Sequence, residues 1–176
     1  MKILNIITGS IAAVKSPEIV RLFTKNNDEI TCILTKSAEK FVTPLSLSYL
    51  SGRKAYSQMF EPEQEAKMAH INLSREHDVI LVAPASADFI AKLANGFCDD
   101  LASTVCIASD KKLIIAPAMN PQMMSHPATQ RNIEQLKKDG AIFIDSEAGE
   151  MACGEEGFGR MAEPESIFKF IQNIDN

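Results

Sequence analysis

The amino-acid sequence predicts a doubly wound α/β domain built on a parallel sheet, and three observations lead there. Short apolar runs recur at Ile3–Thr8, Glu29–Leu34, Val79–Ala83, Leu113–Ala116 and Ala141–Ile144. They are rich in Ile, Val and Leu and continuous rather than alternating, so both faces must be covered, as in a parallel sheet between helices. Segments with helix signals separate them, which gives a repeated β-α alternation. Size is the third observation: 176 residues with no internal repeat and no Pro/Gly/Ser linker fit one compact domain. The expectation is a single Rossmann/flavodoxin-like domain, in which ligands bind beyond the carboxyl ends of the strands.

Taken in order, MKILNIITGS reads as a first buried strand and not as a secretory leader, because its apolar run stops at Thr8-Gly9-Ser10 without a cleavage-like segment. Ser16-Pro17-Glu18 then offers a cap residue, a first-turn proline and an early acid for a helix through Ile19–Asn27. Ser86–Asn95 ends at Gly96, as a helix with a glycine C-cap does. Asp99–Ser109, Pro127–Asp139 and Pro164–Asn173 complete the helices. No helix follows the fifth run at once. There Gly149, Gly154, Gly157 and Gly159 surround Cys153, a stretch expected to form neither strand nor helix but a mobile flap.

Composition narrows the partners. A net charge of -5, with acidic and basic residues mixed, disfavours nucleic acid and anionic membrane. No apolar stretch reaches bilayer-spanning length. The four cysteines (Cys32, Cys98, Cys106, Cys153) are irregularly spaced, without C-x-x-C or a nearby His pair. Neither a metal site nor a disulfide framework is expected; reduced thiols and a cytoplasmic setting are.

The strand-end loops are the candidate site. Gly9 and Ser10 can bring backbone amides close to a phosphate, although such a pair is also a plain tight turn. The loop is neither G-x-G-x-x-G nor a P-loop, which weakens NAD and ATP readings. Thr35 and Ser37 carry hydroxyls, with helix capping by Ser37 the plainer reading. Ser86 and its small neighbours leave room for a flat ring, though Ser86 also suits a cap. Asn120 offers a donor and an acceptor, or else a cap before Pro121. Among the histidines, His77 reads as a solvated surface residue and His126 as a helix boundary. His70 stands ahead of the third strand, structural on its own account or a base.

In their order along the chain, TGSIAAVK, TKSAEKFV, HINL, PASADFIAKLANGFCDDL, PAMNPQMMSHPATQRN and ACGEEGFGRMAEP resemble the homo-oligomeric flavin-containing cysteine decarboxylases over roughly residues 1–165. The resemblance implies one FMN-binding domain over 1–176 with a flexible flap at about 146–162. It implies that Gly9, Ser10 and Ile11, with Thr35 and Ser37, hold the FMN phosphate and ribityl chain. Ser86, Ala87, Asp88, Phe89 and Ala118 would border the flavin, with Asp88-Phe89 standing where the family usually reads Asn-Thr. His70 matches the family's base, Asn120 the residue that binds the substrate carboxylate, and Cys153 the final proton donor.

What the resemblance implies in activity is decarboxylation of a small molecule, 4′-phospho-N-pantothenoylcysteine, to 4′-phosphopantetheine in coenzyme A biosynthesis. It also implies homotrimers, or dodecamers of trimers, with sites shared between neighbours, and a working relation to the separate phosphopantothenoylcysteine synthetase. Cys153 favours this over a peptidyl-cysteine oxidative decarboxylase, which releases the enethiol. PAMN and ACG argue against a prenyl-flavin synthase. A phosphatase-regulatory flavoprotein would rest on acidic extensions that are absent here.

Overall fold

The computed structural model describes residues 1–59, 69–150 and 156–174. Its centre is a five-stranded parallel sheet in the order β2-β1-β3-β4-β5: β1 Lys2–Ile7, β2 Glu29–Leu34, β3 Val79–Ala85, β4 Lys112–Pro117 and β5 Ile142–Phe143. β3 is buried along its whole length, as continuous Val and Leu require. Helices α1 Ser16–Lys25, α2 Pro44–Ser51, α3 Ala69–Arg75, α4 Ala87–Ala94, α5 Leu101–Ile107, α6 Pro121–Ser125, α7 Pro127–Lys138 and α8 Pro164–Gln172 flank it. Ile3, Ile7, Leu34 and Leu81 pack on one face against Ile19 and Phe23 of α1 and Ile167 and Ile171 of α8. Leu4, Ile6, Val82 and Ile115 face the other way, toward Phe89 and Ile90 of α4 and Ile133 of α7. None of the described helices is long and apolar enough to cross a membrane.

The strand order reverses between β1 and β3, so a crevice opens where their carboxyl ends diverge. One buried hydroxyl bridges those ends. Thr8 Oγ1 donates to Pro84 O at 2.7 Å and accepts from Ser86 N at 2.8 Å. The Thr8 N–H adds a bond to the same carbonyl at 3.2 Å.

Two expectations are corrected. The stretch after β5 is not without regular structure: β6 Glu147–Glu150 and β7 Glu156–Arg160 pair as an antiparallel ribbon. Pairing satisfies their backbone groups, and the glycines serve close packing as well as bending. His77 is not solvated. It is 6% exposed, and its Nδ1 lies 2.8 Å from Leu73 O. A carbonyl can only accept, so Nδ1 carries the proton and ties off the end of α3.

Burial, above all, holds His77 below the usual imidazole range, against the opposing pull of the Leu73 carbonyl. The unfolded chain therefore takes up a proton near about pH 6.5 that the folded chain takes up only at lower pH. Stability is complete above that value and falls as pH drops through it. The drop in urea midpoint between about pH 7.5 and about pH 5.5 should shrink in His77→Gln. An unchanged drop would remove His77 as its source.

Candidate active site

The loops after β1 and β2 are pressed together. A Cβ on Gly9 would collide with Ser37 Cβ, so only glycine fits there. Ser10 Oγ accepts from Ala12 N at 3.3 Å and opens a 3₁₀ turn over Ile11–Lys15. In the second loop Thr35 Oγ1 accepts from Ala38 N at 3.3 Å. Ser37, expected as a cap, makes no side-chain cap bond.

The third and fourth loops present helix caps with one group left over. Ser86 Oγ accepts from Phe89 N at 3.3 Å. Asn120 Oδ1 accepts from Met123 N at 2.8 Å. Because Oδ1 is held by that amide, the Nδ2 end remains as the donor. β7 sits directly on this turn. Met119 N donates to Gly159 O at 3.0 Å. A Cβ on Gly159 would collide with Met119 O, and one on Gly157 would lie 2.9 Å from Pro121 Cγ.

Between these loops lies a cleft of about 540 Å³, within the range of small-molecule sites. Ile11, Val14, Ala118, Met119 and Met123 give it apolar walls, while Ser10, Ser86, Asn120, Lys15 and Arg160 supply polar groups. Lys15 pairs with Glu163 at 2.7 Å and Arg160 with Glu147 at 3.0 Å, so the two cations are compensated. The Glu163 N–H first, then Arg160, hold the Glu147 carboxyl below its usual range. Small residues at Gly9, Ala87 and Ala118, apolar walls and a run of hydroxyls fit a flat ring with a polar tail.

Of the residues singled out in the sequence, Gly9, Ser10, Ile11, Ser86, Ala87, Ala118 and Asn120 line this cleft. Thr35 and Ser37 adjoin it through Gly9 without lining it. Asp88 is exposed on the first turn of α4. Phe89, expected beside the ligand, is instead 2% exposed in the core, because the helix phase that buries Ile90 and Leu93 buries it too. His70 is half-buried on α3 and is not among the cleft residues. Cys153 lies outside the described residues. Val14, Lys15, Met119, Met123, Arg160 and Met161 line the cleft without having been singled out. Their only signal was membership in the TGSIAAVK, PAMNPQMM and GFGRM segments.

This constellation belongs to a recognised class: residues 1–175 match the Flavoprotein family, and the chain is a member of it. It is 46% identical over 168 residues to the coenzyme A biosynthesis bifunctional protein CoaBC of Haemophilus influenzae, covering 96% of this chain and 42% of that protein. The chain thus spans less than half the length of that relative. Among solved structures it resembles a cysteine-to-serine mutant of PPC decarboxylase complexed with pantothenoylaminoethenethiol, with a TM-score of 0.86, 32% identity and coverage of 98% and 97% of the two chains. The FMN-dependent cysteine decarboxylase SpaF is also similar, with a TM-score of 0.84, 28% identity and coverage of 98% and 96%.

The contact of β7 with the Asn120 turn predicts a steep local cost. Gly159 has φ +133° and a backbone oxygen where a Cβ would go. Gly159→Ala should lose about 1–3 kcal/mol of stability, read as a lower thermal midpoint. Phe158→Ala, at a side chain 67% exposed, should stay within about 0.5 kcal/mol. Equal effects would mean that β7 does not seat on the turn as described.

Proposed function

We propose that the chain binds FMN and decarboxylates 4′-phospho-N-pantothenoylcysteine to 4′-phosphopantetheine in coenzyme A biosynthesis. The observation that carries this reading is a cleft with small, apolar walls into which Asn120 presents an amide donor whose orientation is fixed by its own cap. The resemblance to PPC decarboxylase supports it. The hydroxyls and amides of Gly9, Ser10, Ile11, Thr35 and Ser37 would hold the phosphate and ribityl chain, and Ser37 has a hydroxyl not used in capping. Ser86, Ala87 and Ala118 would border the ring. Bound FMN supplies the two-electron redox chemistry that loss of CO₂ from a saturated carboxylate requires.

The protein's own groups do the rest. Asn120 Nδ2 donates to the substrate carboxylate and holds it for departure. His70 takes a proton from the substrate, a task suited to an imidazole near neutrality. Cys153 returns a proton to the carbon product once CO₂ has gone. The 146–162 segment serves as a flap that keeps water off the intermediate.

His70 stands apart from the cleft of its own chain, which supports a site shared between copies in a homotrimer or a dodecamer of trimers. The exposed Ile11, Val14, Met123 and Phe158 offer apolar surface for such contact. The bifunctional relatives support a synthetase acting alongside. The free thiols Cys32, Cys98 and Cys106 support a cytoplasmic setting, where reduced cysteines are the rule. The likeness to SpaF favours a second reading, a peptidyl-cysteine oxidative decarboxylase.

Purified protein should be yellow, release FMN on denaturation, and evolve CO₂ from 4′-phosphopantothenoylcysteine. A colourless preparation that takes up no FMN would end the proposal. Cys153→Ser lacks a comparably acidic proton, since a hydroxyl is a far weaker acid than an ordinary cysteine thiol, whose reference pKa is about 8.5. It should still release CO₂ but yield a product two hydrogens lighter than 4′-phosphopantetheine by mass spectrometry. Fully reduced product at the normal rate would clear Cys153 of the role. The same enethiol from the unaltered protein would favour the second reading.

Sedimentation tests the shared site. A trimer or a multiple of it is expected, and a monomer with full activity would exclude sharing.

A further inference from the structure

Four alternating charges connect the first loop to the base of the β6–β7 ribbon. Lys15 Nζ lies 2.7 Å from Glu163 Oε2, and Glu163 Oε1 lies 3.2 Å from Arg160 Nη2. The same Nη2 lies 3.0 Å from Glu147 Oε2, and Glu147 Oε1 accepts from Glu163 N at 3.1 Å. The Arg160 guanidinium lies flat enough on β6 that a Cβ at Gly149 would meet its Cζ at 3.5 Å. Lys15 ends the turn that follows Gly9 and Ser10, whereas Arg160 ends β7, and both line the cleft.

Isolated surface pairs of this exposure contribute little, but here Glu163 is shared by two cations, Arg160 by two carboxylates, and Glu147 also accepts a backbone N–H. The anchoring of α8 does not depend on them, since Ile167 and Ile171 are in the core. Met161 and Ala162, just past β7, share the core with Ala13 of the first loop and hold the base of the ribbon. What the charges add is the seat of Arg160 and of the strand above it, where the open cleft separates β7 from the first loop. Among the described residues, the Met119–Gly159 bond and the close approach of Gly157 to Pro121 also hold β7 to the Asn120 turn.

We propose that Glu163 is a positioning residue. It bridges Lys15 and Arg160, sets β7 against the first loop, and through Gly159 O and Met119 N fixes where Asn120 presents its amide. Glu163 is not among the residues that line the cleft, and its kinetic consequence rests on the decarboxylase reading.

Glu163→Gln keeps the side-chain length, the backbone N–H to Glu147 and the start of α8, where Glu163 makes no side-chain cap bond. It removes the charge that both cations share. In the protein as purified, hydrogen exchange at the Met119 amide should quicken by about tenfold, while β1 and β3 amides stay unchanged. Unaltered protein should approach that rate in about 1 M NaCl, and the variant should respond little to salt. In turnover, kcat should fall on the order of tenfold with KM and FMN affinity held within about threefold. Unchanged exchange at Met119, or equal quickening in β1 and β3, would overturn the proposal.

Should Glu163→Gln not fold, Lys15→Gln removes one half of the bridge and should quicken Met119 exchange by a smaller factor; no quickening would again overturn it. If the unaltered protein shows no decarboxylation, the functional reading falls while the exchange measurements still decide the role of Glu163.

Discussion

The Thr8 hydroxyl is the tie on which the cleft depends. A parallel sheet that reverses its winding direction between β1 and β3 must let the two strand ends part, and the loops leaving them would otherwise be free to drift. Thr8 is 1% exposed and uses its single oxygen both ways, giving a proton to Pro84 O and receiving one from Ser86 N. Losing it would strip the Ser86 amide of this acceptor and leave Pro84 O with the longer bond from the Thr8 N–H at 3.2 Å. With the floor fixed, Ser10, Ser86 and Asn120 can each cap a turn or helix at a set height around one opening. Capping and ligand presentation are thus the same geometry: the oxygen turned inward to the helix leaves other groups facing the cleft.

Much of this was legible in the residues. All the apolar runs became strands within a residue or two of their expected ends, since burial on both faces leaves an unambiguous composition. The strand-end loops were found because a parallel sheet dictates where to look. α2 was not: PLSLSYLS has no clear apolar stripe, and the helix is defined by its ends, where Thr43 caps Ser46 N and Gly52 takes φ +66°. His126 does cap α7, as its place before Pro127 suggests, with Nδ1 accepting from Ala128 N at 3.2 Å. His77 was misread because its burial comes from how α3 meets the sheet, which no local pattern encodes. The burial of the Phe89 side chain was not legible, because sequence adjacency to Ser86 says nothing of helix phase.

The cleft and the proposed base are held in different ways. Asn120 and the loops after β1 and β2 are held by the sheet and its caps, and their arrangement is complete within one chain. His70 is carried by α3, whose last turn is tied down at both of its exits: His77 holds Leu73 O, and Ser109 Oγ donates to Ser74 O at 2.9 Å. A short helix fastened so firmly at its far end keeps a definite direction, which is what a base serving a neighbouring copy would need.

The glycines of β7 carry a consequence for divergence. At Gly157 and Gly159 a side chain would enter Pro121 or the Met119 carbonyl, so neither position can acquire a new functional group. Lineages with a different ligand must therefore diversify elsewhere. Ile11, Val14 and Met123 at the rim of the cleft, and Phe158 on β7, are exposed and leave more room for change. Selectivity in this scaffold is accordingly an attribute of its margin, and the backbone beneath it is a fixed template.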